Sequence, residues 1–272
     1  MSAQTKLQGP PNTEPVSPSR EEWERLTAAE RALVVDGLPF VVEHDYMSEG
    51  DTHANVVRES REMLLNHFGG GGSGRSVYLG LSVMVHYPSE PGFAPDLFAV
   101  FDVPDLERDK YVVLHEGKGL DFALEVLWHG DRGKDLKRNV ELFARLGIPE
   151  YFVYDRERLK LHGFRLSESG SYVPLLAQAG RFESRVLGLN LGLEGTRLRF
   201  YSGWAPVPLQ REVQAALERA VSDAEARAEA DAARARAEAA RAETEAARAN
   251  AAEARLSEIE RQLAELRRPT KA

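Results

Sequence analysis

The chain has no cysteine, which excludes disulfides and thiolate metal sites. It also lacks an apolar stretch near Met1 and any uninterrupted apolar run of about 18 residues, so the sequence predicts a cytoplasmic protein with no membrane partner. No Ser nucleophile elbow, Walker motif or dinucleotide fingerprint occurs. The seven histidines include no closely spaced ligand pair, and His53, His86 and His129 read as surface or turn residues. Excess basic charge is missing too. Residues 1–208 carry 23 Lys and Arg against 30 Asp and Glu, which argues against a broad duplex-binding face but leaves room for a local basic groove.

What is present falls into three parts. Residues 1–18, with Pro10, Pro11, Pro15 and Pro18, predict a disordered leader. Residues 19–208 predict a folded body long enough for a real core. Residues 209–268 form one Ala/Glu/Arg-rich helical pattern, with 12 basic and 13 acidic side chains from 209 to the end of the chain. Leu256, Ile259, Leu263 and Leu266 follow 3-4-3 spacing, and Val213, Leu217 and Val221 do similarly at the near end. Between Ser222 and Arg255 there is no Leu, Ile, Val, Met or aromatic residue. Two readings stay open for this tail: a coiled coil that makes a homo-oligomer, and a solvated single helix held by Glu/Arg pairs.

The body is organised around Asp121–Tyr154, which reads as strand, helix, strand. Phe122, Leu124, Val126 and Trp128 alternate on one side of a strand and leave Glu125 on the other, between Ala123 and Leu127. Leu136, Val140 and Phe143 have helical spacing, and Gly147 with Pro149 supplies a stop. Glu150–Tyr154 is then a second strand, most simply a parallel neighbour of the first. Upstream, Ser19 with Glu22 and Thr27 with Glu30 have capping-box spacing for two short helices. A strand at Phe40–Glu43, a helix from Asp51 to Phe68 and a flexible glycine run at 69–74 follow. Val77–Val85 and Ala94–Val103 predict further strands, Tyr111–Leu114 another, and Leu159–Leu166 a hairpin partner. Short strands across 172–202 are expected to cover the sheet edge. Trp23, Trp128 and Trp204 read as core or edge packing.

Asp96 follows Pro95 at the start of one strand and Glu125 lies inside another. Two acids converging on a sheet surface repel unless a cation sits between them, and oxygen-rich sites of this kind favour Mg²⁺ or Mn²⁺. The competing reading is that Pro-Asp merely starts a strand and that Glu125 pairs with Arg or Lys. Pro95-Asp96, Leu124-Glu125-Val126-Leu127, Asp135-Leu136 leading a helix to Phe143, and Leu146-Gly147-Ile148-Pro149-Glu150-Tyr151-Phe152 together resemble the Uma-type putative restriction endonuclease family of the PD-(D/E)xK nuclease superfamily. The resemblance spans about Phe40–Leu166. It implies an α/β fold with a restriction-endonuclease-like mixed sheet flanked by helices, to which the long C-terminal helix is added. It also implies Mg-dependent hydrolysis of DNA, with Asp96 and Glu125 as metal ligands and the Val126 carbonyl completing the site. His53 matches a histidine often seen at the start of an early helix in that family.

The resemblance breaks at one position. Where the family resembles nucleases whose lysine has moved onto the helix, this chain has Asn139. At 100° per residue Asn139 shares a helix face with Leu136, Val140, Phe143 and Leu146, so it points toward the sheet. Lys137 and Arg138 point away, leaving Lys118 or Lys134 to reach in from a loop. An amide positions a water but offers no full charge to a phosphate oxygen. The alternative function is therefore a catalytically weakened binding or scaffold protein that associates through its C-terminal helix.

Overall fold

The computed structural model describes residues 16–40, 50–69, 74–129 and 132–266. Most of the expected leader, the expected strand at Phe40–Glu43 beyond Phe40 and the centre of the glycine run lie outside the described residues. The chain divides after Gln210 into two compact units, Met1–Gln210 and Arg211–Ala272.

The first unit runs α1 (Arg20–Arg25), α2 (Ala28–Gly37), α3 (Gly50–Gly69), β1 (Val77–Leu81), β2 (Met84–His86), β3 (Leu97–Phe101), β4 (Lys110–Val112), α4 (Val113–Glu116) and β5 (Phe122–Leu127). A π-turn (Lys134–Arg138) then opens α5 (Asn139–Arg145), followed by β6 (Glu150–Asp155), β7 (Lys160–Leu166), β8 (Tyr172–Pro174), β9 (Arg181–Ser184), β10 (Leu189–Glu194), β11 (Arg197–Ser202) and β12 (Ala205–Pro206). Both short N-terminal helices begin with the capping boxes read from the sequence. Glu22 accepts from the Ser19 N–H at 2.7 Å and Glu30 from the Thr27 N–H at 2.8 Å.

A mixed six-stranded sheet, in the order β1-β3-β5-β6-β7-β8, carries the unit. Strands β5 and β6 are parallel, as a helical crossover requires, and the other neighbours are antiparallel. The crossover helix stops where Gly147 takes φ 76°. There the Ile148 N–H reaches the Phe143 carbonyl and the Gly147 N–H the Ala144 carbonyl, each at 3.0 Å, a Schellman closure that a side chain would strain.

Both faces of the sheet are covered. On one, Phe122, Leu124 and Val126 pack with Met63, Leu64 and Phe68 of α3 and with Leu189, Leu191 and Phe200. On the other, Ala123 and Leu127 pack with Phe143, Ile148, Tyr111 and Tyr87. All six residues of β5 are therefore buried, Glu125 among them. Of the short strands expected across 172–202, β8 does extend the sheet edge beside β7, whereas β9–β12 form a separate four-stranded sheet that contributes a layer to the first face. Buried Glu150 ties the layers together: it accepts from Arg165 Nε at 2.8 Å, from Ser184 Oγ at 2.5 Å and from the Arg185 N–H at 3.0 Å.

Four expectations change in detail. The strand at Tyr111–Leu114 stops at Val112, where α4 takes over. The strand over Val77–Val85 is two strands, because Ser82 takes φ 48° and turns the chain. Trp128 lies past the end of β5, half-buried, and the Arg156 guanidinium stands 5.8 Å from its ring centre. Trp204 is 82% exposed, so it is neither core nor edge packing. The described residues of the second unit all lie in one helix, α6 (Gln210–Leu266), which starts at the last residue of the first unit.

Candidate functional site

Asp96 stands one residue ahead of β3 and Glu125 inside β5, and strand register brings them together. Leu97 pairs with Leu124 and Phe98 with Ala123, so the next step of the same antiparallel ladder sets Asp96 against Glu125. The Asp96 N–H lies 3.3 Å from Glu125 Oε2. In turn the Val126 N–H donates to Asp96 Oδ2 at 2.6 Å. In an extended strand the N–H and C=O of one residue leave on the same edge, so the Val126 carbonyl also faces the Asp96 side. The Ser82 N–H, 3.2 Å from the carbonyls of both Pro95 and Asp96, fixes the backbone from behind.

Two further elements close on this pair. From α3, buried His53 places Nε2 2.9 Å from Asp96 Oδ2, so it is no surface residue. From the crossover, buried Asn139 extends Nδ2 to 3.3 Å from Glu125 Oε1 and 3.4 Å from Asp135 Oδ1. The crossover is not a continuous α-helix as the spacing predicts. It opens with the π-turn, closed by the Asn139 N–H on the Lys134 carbonyl, and such wide turns are often kept at functional sites. Lys137 and Arg138 are exposed, as the helical wheel predicts, while Phe143 is buried and Leu136 and Val140 half-buried against the sheet. Tyr151, from β6, donates to the Asp135 carbonyl at 2.9 Å.

Three carboxylates thus share one corner, with Glu125 and Asp135 buried and Asp96 half-buried. Burial pushes the Glu125 carboxyl well above the usual carboxylate range, and the charges of Asp96 and Asp135 push it further in the same direction. The Lys134 ammonium pulls the other way. Of the two lysines expected to reach in, Lys134 acts on Glu125, whereas Lys118 is held elsewhere, donating to the Phe101 carbonyl at 2.6 Å and pairing with Asp121 at 2.9 Å. Burial, then the charges of Glu125 and Asp135, also raises the Tyr151 hydroxyl well above its ordinary value, so it stays protonated as a donor.

Asp135 and the His53–Asp96 contact are what sequence reasoning missed. Asp135 had a signal, since it stands four residues before Asn139 and so shares its helix face. His53 had none in spacing, because it is 43 residues from Asp96. His86 is also buried, with Nε2 2.8 Å from the Pro39 carbonyl, whereas His129 is exposed and pairs with Glu157 at 2.7 Å.

The donor set suits a hard cation. Among the described residues no group of three His, Cys, Asp or Glu side chains is arranged to hold a metal ion. Mg²⁺ does not require one, since it commonly takes one or two carboxylates together with waters and substrate oxygens. Asp96 and Glu125 with the Val126 carbonyl match that pattern, and the two acids repel unless Glu125 keeps its proton or a cation sits between them.

A family model, Uma2, described as "Putative restriction endonuclease", matches residues 21–199. Among solved structures the chain is similar to a protein of Anabaena variabilis described as a putative nuclease belonging to DUF820. That likeness covers 62% of this chain and 90% of the other, with 11% identity and a TM-score of 0.41. No curated protein matches. Among the described residues no helix is long and apolar enough to cross a membrane.

Proposed function

Because the chain belongs to the Uma2 family of restriction-endonuclease-like proteins, we propose that it hydrolyses DNA phosphodiester bonds, with Mg²⁺ or Mn²⁺ held by Asp96, Glu125 and the Val126 carbonyl. The observation that carries this reading is the approach of Asp96 to Glu125 in a corner where burial and mutual repulsion already disfavour two bare charges.

Each neighbour has a task in that mechanism. His53 and the Val126 N–H fix Asp96 Oδ2, which orients the carboxylate before anything binds. The Asn139 amide, within reach of Glu125 Oε1 and Asp135 Oδ1, bridges those two acids across helix and sheet. Lys134 supplies positive field at Glu125, and Lys137 and Arg138, exposed on the same turn, suit backbone phosphates. A bound divalent cation would supply Lewis acidity, lowering the pKa of a coordinated water and offsetting charge on the phosphate.

Asn139 also favours a second reading, a nuclease fold with weakened catalysis that serves as a binding or scaffold protein. A neutral amide stabilises developing negative charge less than an ammonium at the same place. The test is cleavage of supercoiled and single-stranded DNA with Mg²⁺, Mn²⁺ or EDTA, beside Asp96→Ala. Metal-dependent cleavage that Asp96→Ala abolishes supports the nuclease. Purified protein that binds DNA or a partner but cleaves neither substrate with either metal supports the scaffold.

A further inference from the structure

We propose that α6 pairs with a second copy of itself, antiparallel, in one register level with Ala240. The starting observation is that Leu217, Val221, Leu256, Ile259 and Leu263 are exposed large apolar side chains on one helix. Counting back by sevens from Leu256 and Leu263 as a positions gives Ala249, Ala242, Ala235, Ala228 and Val221. Counting back from Ile259 as d gives Ala252, then Glu245, Glu238, Asp231, Ala224 and Leu217. One seam therefore runs from Leu217 to Leu263, apolar at both ends, and its a positions between are all alanine.

The charges decide the orientation. In a parallel pair each residue of the seam faces its own copy, so Asp231, Glu238 and Glu245 would stack acid on acid in three successive d layers. The antiparallel register sets each of them against an alanine, Ala249, Ala242 and Ala235 of the second copy. It also joins the apolar ends to each other: Leu217 meets Leu263, Val221 meets Ile259 and Ala224 meets Leu256. Arginine occupies every g position from Arg227 to Arg255. In an antiparallel pair the g and d positions of both helices line the same flank, bringing Asp231 beside Arg248, Glu238 beside Arg241 and Glu245 beside Arg234 of the second copy.

The same flank also sets Arg227 by Arg255 and Arg234 by Arg248 of the second copy, like charges with the seam acids between them, and the other flank opposes the pairing outright. It sets Glu218 by Glu260 and Glu225 by Glu253, whereas a parallel pair would gain Arg248–Glu253 and Arg255–Glu260 contacts. Those pairs lie at the wet rim, where solvent and salt screen them, and the acid layers of a parallel seam would lie in its core. Core acids cost more than rim acids.

Because the natural chain has no cysteine, the register is readable with single thiols in the full-length protein. Glu238→Cys chains are mixed with mass-tagged Ala242→Cys chains and mildly oxidised. The expected result is a disulfide between the two variants, little crosslinking of either alone, a dimer mass in sedimentation, and loss of that dimer with Leu263→Asp. Homodisulfides within each variant would overturn the antiparallel register in favour of a parallel one. A monomer mass at tens of micromolar, or a dimer that Leu263→Asp leaves intact, would overturn pairing through this seam.

Discussion

His53 Nε2 stands 2.9 Å from Asp96 Oδ2, the same oxygen that receives the Val126 N–H at 2.6 Å. One helix and one neighbouring strand thereby aim a single carboxylate oxygen. Such outer partners commonly contribute about 10–100-fold in metal affinity. His53→Ala is expected to weaken Mn²⁺ binding on that order, read by titration calorimetry. An unchanged affinity would mean that Asp96 is fixed by the backbone alone.

The raised Glu125 carboxyl makes apo stability fall with pH. A carboxyl that keeps its proton longer in the folded than in the unfolded chain binds more protons when folded, so stability drops as pH climbs from the ordinary carboxylate value through the raised one. Each unit of elevation is worth about 1.4 kcal/mol. In EDTA at neutral pH, Glu125→Gln should therefore melt above the natural protein, with the difference vanishing below about pH 4, where both folded and unfolded carboxyls are protonated. Metal binding should strengthen across the same window, since the ligand must lose that proton. Melting curves that shift in parallel at every pH would contradict both statements.

Lys134 and Lys118 separate cleanly as candidates for the missing ammonium. Lys134→Ala should lower metal-dependent cleavage, because Lys134 favours the charged form of Glu125. Lys118→Ala should leave the rate near its original value, because its ammonium is occupied by Phe101 and Asp121. Equal losses from the two substitutions would remove this assignment.

Asn139→Lys should raise cleavage, since its amide already lies 3.3 Å from Glu125 Oε1. The gain should vanish in an Asp96→Ala background, where a buried ammonium loses one of its compensating carboxylates and stability falls as well. A double-mutant cycle on rate and melting temperature measures both effects. If the substitution leaves the rate alone while Lys134→Ala lowers it, the role is already filled.

Phe143 is wholly buried, its ring centre 5.1 Å from that of Phe93 and 4.9 Å from that of Tyr151. Phe143→Ala should cost about 3–5 kcal/mol in denaturant unfolding. Truncation gives a related contrast. Leu209 is 0% exposed within the core of the first unit, so ending the chain after Pro208 should cost about 2–5 kcal/mol, while ending it after Gln210 should leave the transition of that unit in place.

How much of this was legible follows from which residues were near one another in sequence. The β5–crossover–β6 unit was readable because its periods change from two to helical spacing and Gly147 marks the stop. Asn139 was placed on the sheet side by its shared face with Val140 and Phe143. The π-turn was not readable, since apolar spacing alone does not distinguish the wider turn that Lys134–Arg138 makes. Strands β9–β12 carried alternating apolar residues, yet nothing local says whether a hairpin sheet covers an edge or a face. That choice is made by Leu189, Leu191 and Phe200 meeting α3 and β5, contacts distant in sequence.

The ladder that joins β3 to β5 also tells where this site tolerates change in chain length. Asp96 and Glu125 are opposed because Leu97 and Leu124 are paired, and that pairing does not depend on the length of the exposed connection between Pro104 and Asp109. Insertions in the 104–109 connection would leave the two acids facing each other. Removing one residue from within Leu97–Phe101 or from within Phe122–Leu124 would slip the register by one and turn the acid to the opposite face of the sheet. For a chemistry built on two carboxylates, the strands act as a fixed ruler, and length variation is free only where the ruler is not drawn.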